Sequence, residues 1–270
     1  MTALGLGPGA SAAAVFGVLG LVAGSFDNVV VFRVPEGRSV VRPPSACPKC
    51  GARVRAYDNV PVLSWALLKG HCRDCRAPIS VRYPIVELFV ALVFVGIGWR
   101  YGVSWTGAGE AVLAAGLVAL GLIDFDHMLL PRKVVYWDLG AVGAVLVAGA
   151  AAEGQWERLG VAFASALVPW ALFFLLNYFA PHALGFGDVR LAFLMGLGLG
   201  WLGAGYAFLG FLLASLLGAV VGVALMAAGK AGRRTPVPFG TFLASGALLA
   251  VLAGAPVIHW YQGTLSLVGR

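Results

Sequence analysis

A chain of 270 residues has room for one or two soluble domains, yet 60% of its residues are hydrophobic and only 11% are charged. Soluble domains carry about 25% charged residues. This surface therefore cannot face water throughout, and so much apolar material excludes a disordered chain. The net charge of +7 is concentrated in a few short polar segments. That is a topological signal rather than a nucleic-acid footprint, so no nucleic-acid partner is expected.

A bilayer crossing needs roughly 20 mostly apolar residues. Eight stretches meet or approach that length: 11–31, 84–101, 109–127, 134–152, 159–179, 189–203, 206–228 and 238–260. Their apolar runs are continuous, without the alternation of a membrane β-barrel. Residues 1–10 hold no Lys or Arg, and the basic cluster follows the first apolar run. The first segment is therefore expected to be an uncleaved helix with its N-terminus outside. The sixth segment is the weakest, being short and crowded by Gly196, Gly198, Gly200 and Gly203; such glycines let helices approach closely. The fold expected is an all-α polytopic membrane protein of eight helices in the lipid bilayer. Residues 1–32 form the first helix, 33–83 a small cytoplasmic domain, and 84–270 a seven-helix core.

Charge sets the orientation. Residues 33–83 hold ten Lys and Arg, and Arg132, Lys133, Arg190, Lys230, Arg233 and Arg234 lie in loops on the same side. The opposite side has three: Arg100, Arg158 and Arg270. The heavy side is cytoplasmic, and eight crossings place both termini outside. A bacterial inner-membrane protein is expected.

Within residues 33–83, Cys47-Pro-Lys-Cys50 is followed by Cys72-Arg-Asp-Cys75. Two residues between cysteines let both sulfurs of a tight turn reach one ion. Two such turns complete a closed, structural four-cysteine Zn²⁺ site. The competing reading is a pair of redox-active dithiols. A reducing cytoplasm also disfavours structural disulfides there. The segment has too little apolar material for a core of its own, and zinc would replace one.

Carboxylates inside spanning helices cost roughly 2.5–3.5 kcal/mol at the helix centre and so mark function by default. Asp27, Glu87, Asp124, Asp126, Asp138 and Asp188 lie in or at the ends of the predicted spans. Two contexts stand out. Asp124 is in Ile123-Asp124-Phe125-Asp126-His127, seven positions before Pro131. Asp188 closes Gly185-Phe186-Gly187-Asp188. The topology puts both at the same membrane face. Two neighbouring carboxylates can share a proton, one acting as base toward water and the other as acid toward the scissile group. The glycines at 185 and 187 would let a substrate approach the backbone. The competing reading is a pair of polar helix ends at the interface. Asp126 competes with Asp124, although side chains two positions apart on a helix point about 200° apart.

Ordered pieces along nearly the whole chain are similar to the bacterial type IV prepilin peptidases, a GxGD-type family of intramembrane aspartic proteases. They are Gly24-Ser25-Phe26, Asn28-Val29-Val30, Arg33-Val34-Pro35, the two cysteine pairs, and Asp58-Asn59-Val60-Pro61-Val62-Leu63-Ser64-Trp65. They continue with Arg82-Tyr83-Pro84, Glu87-Leu88, the Asp-x-Asp…Leu-Pro stretch and Gly-Phe-Gly-Asp-Val-Arg-Leu. The resemblance implies cleavage of the basic leader of type IV prepilins and pseudopilins at the cytoplasmic face. It also implies methylation of the new N-terminus from S-adenosylmethionine. It places the peptidase aspartates at Asp124 and Asp188, and the spacing to Pro131 favours Asp124 over Asp126. Asp27 stands where the family usually has an apolar residue, and Arg190 where Lys is usual. Asp27 bears on methylation more than on proteolysis. Among His71, His127, His182 and His259 no metal spacing is evident. No residues for the methyl donor can be picked from the sequence, because no Gly-rich nucleotide loop follows a strand. Two other readings compete: a protease for other membrane substrates, which the cysteine domain disfavours, and a carboxylate-lined transporter, which usually carries such residues near the midplane.

Overall fold

A computed structural model describes residues 8–180, 184–230, 232 and 235–268. His182, Arg233, Arg234 and Arg270 lie outside the described residues. The described chain is helical with no strand beyond two isolated bridges. It divides into two compact units, residues 1–102 and 103–270.

The first unit pairs α1 (Pro8–Arg33) with α3 (Arg82–Tyr101). In lipid both faces of a spanning helix are apolar, so the packing face is chosen by small residues. Here Gly17, Gly20 and Gly24 carry it. A Cβ on Gly20 would stand 2.7 Å from Ala91 Cα, and one on Gly24 2.8 Å from Glu87 Cα. Gly98 answers from α3 against Ala12 and Phe16. The register is antiparallel: residue 12 meets 98, residue 20 meets 91 and residue 24 meets 87. It is closed by Asn28 Nδ2 donating to Tyr83 O at 3.1 Å.

Between these helices lie a 3₁₀ turn (Ala56–Asp58) and the short α2 (Leu63–Leu67). Only Ser64, Gly70 and Cys72 are buried between residues 34 and 81. Polar contacts do the tying. Arg73 makes two hydrogen bonds to the Asp58 carboxylate, at 2.6 and 2.8 Å, and lies over the Tyr57 ring. That guanidinium holds Asp58 below the usual carboxylate range. Trp65 Nε1 donates to Ile79 O at 3.1 Å. Val62 takes φ 60°, ψ −50°, a strained backbone for a β-branched residue. Its N–H donates to Glu87 Oε2 at 2.7 Å, which ties the segment to α3.

The second unit contains α4 (Trp105–His127), α5 (Arg132–Glu153), α6 (Trp156–Phe179), α7 (Phe186–Leu202), α8 (Ala204–Ala227) and α9 (Phe239–Val268). Ser104 caps α4 by accepting from Gly107 N–H at 3.0 Å. The helix α7 is the axis of the unit. Its Leu191, Leu194, Met195, Leu199 and Trp201 have no exposed surface. Gly196 and Gly200 press on Ser165, Ala166 and Ala162 of α6, and Gly198 presses on Leu113 of α4.

All eight predicted segments are helices, and seven of them are long and apolar enough to cross a membrane. The exception is the sixth predicted segment, α7, with 17 residues. Seventeen residues rise about 26 Å, short of the ~30 Å hydrocarbon layer. A helix enclosed by five others meets protein rather than lipid, so its length need not match the bilayer. The chain is a multi-pass membrane protein.

Candidate active site and metal centre

In the first unit the two cysteine pairs adopt the same turn. Cys47 N–H donates to Ala52 O and Gly51 N–H to Cys47 O; Cys72 N–H donates to Ala77 O and Arg76 N–H to Cys72 O. The fifth residue of each turn is left-handed, with Gly51 at φ 71° and Arg76 at φ 58°. The four sulfurs lie within 4.8 Å of one another, and Cys47 Sγ is 3.8 Å from Cys75 Sγ. A tetrahedral ion with metal–sulfur bonds of about 2.3 Å separates its sulfurs by about 3.8 Å. The cluster therefore fits a single metal ion with no open position. Backbone N–H groups of Cys50 and Lys49 draw the Cys47 thiol down to about 6, while, against a backbone N–H from Ala52, the neighbouring sulfurs of Cys75 and Cys47 push the Cys50 thiol up to about 12; a metal ion would replace the protons these sulfurs otherwise share.

In the second unit the carboxylates of Asp124 and Asp188 each meet the N-terminus of a helix. Asp188 is the third residue of α7, and its Oδ2 accepts from the N–H of Gly185, the N-cap, at 3.1 Å. Asp124 lies near the end of α4, and its Oδ2 accepts from Thr241 N–H, in the first turn of α9, at 2.9 Å. Thr241 Oγ1 donates to Gly121 O at 2.9 Å and is 3.4 Å from Asp124 Oδ2. The first N–H groups of a helix have no partner in their own helix, and the helix dipole favours negative charge there. Both carboxylates meet that condition.

Leu130 joins the two places. After α4 ends at a left-handed Met128, the chain lays Leu130 against Gly187 and Gly240. A Cβ on Gly187 would stand 2.8 Å from Leu130 Cβ, and a Cβ on Gly240 would stand 2.9 Å from both Leu130 Cδ1 and Asp124 Oδ2. One side chain, Leu130, thus touches both the helix start that carries Asp188 and the glycine that lies against Asp124. Both aspartates are buried, at 5% and 9% exposure, whereas Asp126 is exposed.

The other predicted candidates fall elsewhere. Asp27 and Glu87 are buried in the first unit. Asp138 of α5 lies against the bare Cα of Gly116 on α4. Arg190 has its guanidinium carbon 4.6 Å from the Phe186 ring centroid and 5.8 Å from that of Tyr136. His71, His127 and His259 are exposed, and among the described residues the cysteines are the only metal-capable cluster.

Three participants lie outside the sequence reading. Thr241 and Gly240 are 117 and 116 positions from Asp124, and no local pattern links them to it. The prolines of Pro236-Val237-Pro238 just before a helix start were their only signal. Glu110, fully buried in α4, is the third. It lies one turn from Thr106, at the opposite end of α4 from Asp124. Arg158 stacks 4.6 Å over Trp201, whose Nε1 donates to Thr106.

Gly240→Val tests the tightness around Asp124. Its branched side chain has Leu130 on one side and the carboxylate on the other. Cleavage is expected to fall about 100-fold, the loss that a displacement of roughly 1 Å can cause. Wild-type rates in purified Gly240→Val would show that this contact does not position Asp124.

Residues 18–101 match the bacterial peptidase A24 N-terminal domain, and residues 111–223 match the type IV leader peptidase family. The chain is 34% identical over 268 residues to a prepilin leader peptidase/N-methyltransferase of Stutzerimonas stutzeri, covering 90% of this chain and 91% of that protein. It is 35% identical over 271 residues to the protein of that name from Pseudomonas aeruginosa, with 90% and 91% covered. The Pseudomonas putida protein is 36% identical over 282 residues, with 93% of each covered. No solved structure matches the chain. Matched in its first unit by the A24 N-terminal domain, in its second by the type IV leader peptidase family, and aligned with these relatives over about nine-tenths of their length, the chain belongs to the type IV leader peptidase family.

Proposed function

We propose that this protein cuts the leader from type IV prepilins or pseudopilins at the cytoplasmic membrane face and methylates the new N-terminus. The observation that carries the peptidase reading is the pair of buried carboxylates, Asp124 and Asp188, at two helix starts joined by Leu130. One carboxylate takes a proton from water as the oxygen bonds to the peptide carbonyl carbon. The protonated partner gives its proton to the leaving amine as the C–N bond breaks. Neither residue becomes covalently attached, and the pair ends with its proton exchanged between partners. Backbone N–H donors at both carboxylates hold them without blocking their second oxygens. Gly187 is closed by Leu130, whereas the bare Cα of Gly185 has only Asp188 and its own loop nearby, so an extended substrate segment would reach Asp188 past Gly185.

Methylation is supported by the names of the relatives. S-adenosylmethionine, when bound, supplies an electrophilic methyl group to the new amine. Among the described residues no strand leads into a Gly-rich turn and helix, a common nucleotide cradle, so no residue is assigned to that donor. We assign Zn²⁺ to Cys47, Cys50, Cys72 and Cys75 as a structural ion, and residues 33–83 to a cytoplasmic module built on it. Mass spectrometry of a prepilin co-expressed with the protein reads both reactions at once. A product shortened by the leader and heavier by one methyl group is expected; an uncut prepilin would refute the peptidase.

The charge asymmetry supports an inner-membrane orientation with both termini outside and residues 33–83 in the cytoplasm. In a Glu153→Cys variant, a membrane-impermeant maleimide should label position 153 in intact cells, since that residue ends α5 on the sparsely charged side. In Lys133→Cys, position 133 should be labelled only after lysis. The opposite pattern would invert the topology.

A further inference from the structure

The segment between α1 and α3 turns its leucines outward. We propose that the face of α2 carrying Leu63 and Leu67 docks on the bilayer, with both leucines at the acyl boundary and the basic side chains of residues 33–83 among anionic phospholipid headgroups. This goes beyond the cleavage and methylation reading and does not depend on it.

What the segment hides is polar. Ser64 is buried, and its Oγ donates to Tyr57 O and accepts from Val60 N–H, both at 3.0 Å. Trp65 turns inward, donating to Ile79 O and lying against Gly70. Leu63 and Leu67, one turn apart on α2, are left 62% and 82% exposed, and Ala66 is exposed with them. Tyr57 and Val60, drawn to α2 by the Ser64 hydroxyl, are exposed too. A turn that hides its serine and shows its leucines is built for an apolar medium.

A tether sets its depth. Val62 N–H, one residue before Leu63, donates to Glu87 Oε2 at 2.7 Å. Glu87 lies five residues into α3 from Arg82, a rise of about 7.5 Å. Helical side chains lean toward the N-terminus of their helix, so its carboxylate reaches the level of the first turn of α3. There Ile85 and Leu88 are exposed, the side that a spanning helix turns to lipid. On the neighbouring helix, Gly24 lies against Glu87, and α1 runs on to Arg33, about 13 Å further. The leucines are therefore held alongside the spanning helices, not beyond their ends.

Charge completes the match. Between residues 33 and 83, ten Lys and Arg stand against Glu36, Asp58 and Asp74. An apolar tip within a basic rim suits a membrane surface that carries anionic lipid; a basic peptide would be repelled by it.

Photocrosslinking of the whole protein in liposomes of phosphatidylethanolamine and phosphatidylglycerol tests the contact. With p-benzoylphenylalanine replacing Leu67, illumination should give phospholipid adducts, read by mass spectrometry of the peptide that carries the probe. The same probe replacing Val41 should not. Val41 is as exposed as Leu67, but its loop is held through Ser39 O and Pro43 O by Arg33, at the far end of α1. No lipid adduct at 67, equal yields at 41 and 67, or an adduct from 67 to another part of the protein would each overturn the proposal. A second readout is amide exchange of residues 60–70 in the same liposomes. Leu63→Asp combined with Leu67→Asp should speed it about tenfold by releasing the turn from the lipid, while Val41→Asp leaves it unchanged. Unaltered exchange in the double variant would also overturn it.

Discussion

Asp124→Asn and Asp188→Asn are each expected to lower prepilin cleavage by at least about 10³-fold, the scale of lost general acid–base catalysis, while leaving insertion and folding intact. The hydrogen bonds explain why Asn is the informative replacement. An amide oxygen at 124 can still accept from Thr241 N–H, and one at 188 can still accept from Gly185 N–H. Both helix starts therefore keep their acceptor. Only the charge at the helix N-terminus is lost, up to about 2 kcal/mol where the site is partly buried. A purely capping role would then give two mildly destabilised, active proteins. A proton-transfer role gives two stable, inactive ones. Because the pair acts as a unit, the double variant should be little worse than either single. Asp126→Asn is the control, since its side chain is exposed, and it should keep most of its activity. Leader release by purified protein, followed by mass spectrometry, decides the matter. If either single variant cuts at near the wild-type rate, that residue does not carry the reaction.

The helices were legible because crossing a bilayer demands long apolar runs, and every such run in the chain is a helix. How they pack was less legible. When lipid and protein are equally apolar, the sequence has no polar face to mark the outside. Glycines supply the remaining signal, as Gly17, Gly20 and Gly24 do on the face of α1 that meets α3. The short sixth segment looked weak for the same reason: its glycines and length suit a helix enclosed by other helices, not one set in lipid. The two aspartates could be placed at one face by charge counting and at their positions by the resemblance. Their surroundings could not. Thr241 reaches Asp124 only because α9 returns beside α4, 117 positions further along the chain. Glu110 escaped notice because it stands at the start of a span, where a carboxylate usually meets water; here it is fully buried.

Removing the metal is expected to have the second-largest effect, confined to residues 33–83. The purified protein should hold about one Zn²⁺ per chain, and Cys47→Ser or a strong chelator should remove it. The structure explains the dependence. Between residues 34 and 81 no large apolar side chain is buried, so no hydrophobic core resists unfolding. What remains is the Arg73–Asp58 pair, the Arg55–Asp74 pair at 3.1 Å, side-chain hydrogen bonds such as Val62–Glu87 and Trp65–Ile79, and a few backbone turns. Exposed ion pairs are weak holders, whereas a structural zinc contributes roughly 10–16 kcal/mol in small domains. Without the ion, the four thiols should become freely reactive, and limited proteolysis should cut within 34–81 where the native protein resists. The helices of the second unit bury their own surfaces, with Leu191, Leu194 and Leu199 fully enclosed, and should stay assembled. Cleavage should therefore outlast methylation if the cytoplasmic module serves the second reaction. The two activities, followed in one mass spectrum during zinc removal, report on that division of labour. Parallel loss of both would mean that leader cleavage also depends on the zinc module, and a protein that binds no metal yet keeps residues 34–81 protected would refute the structural role of zinc.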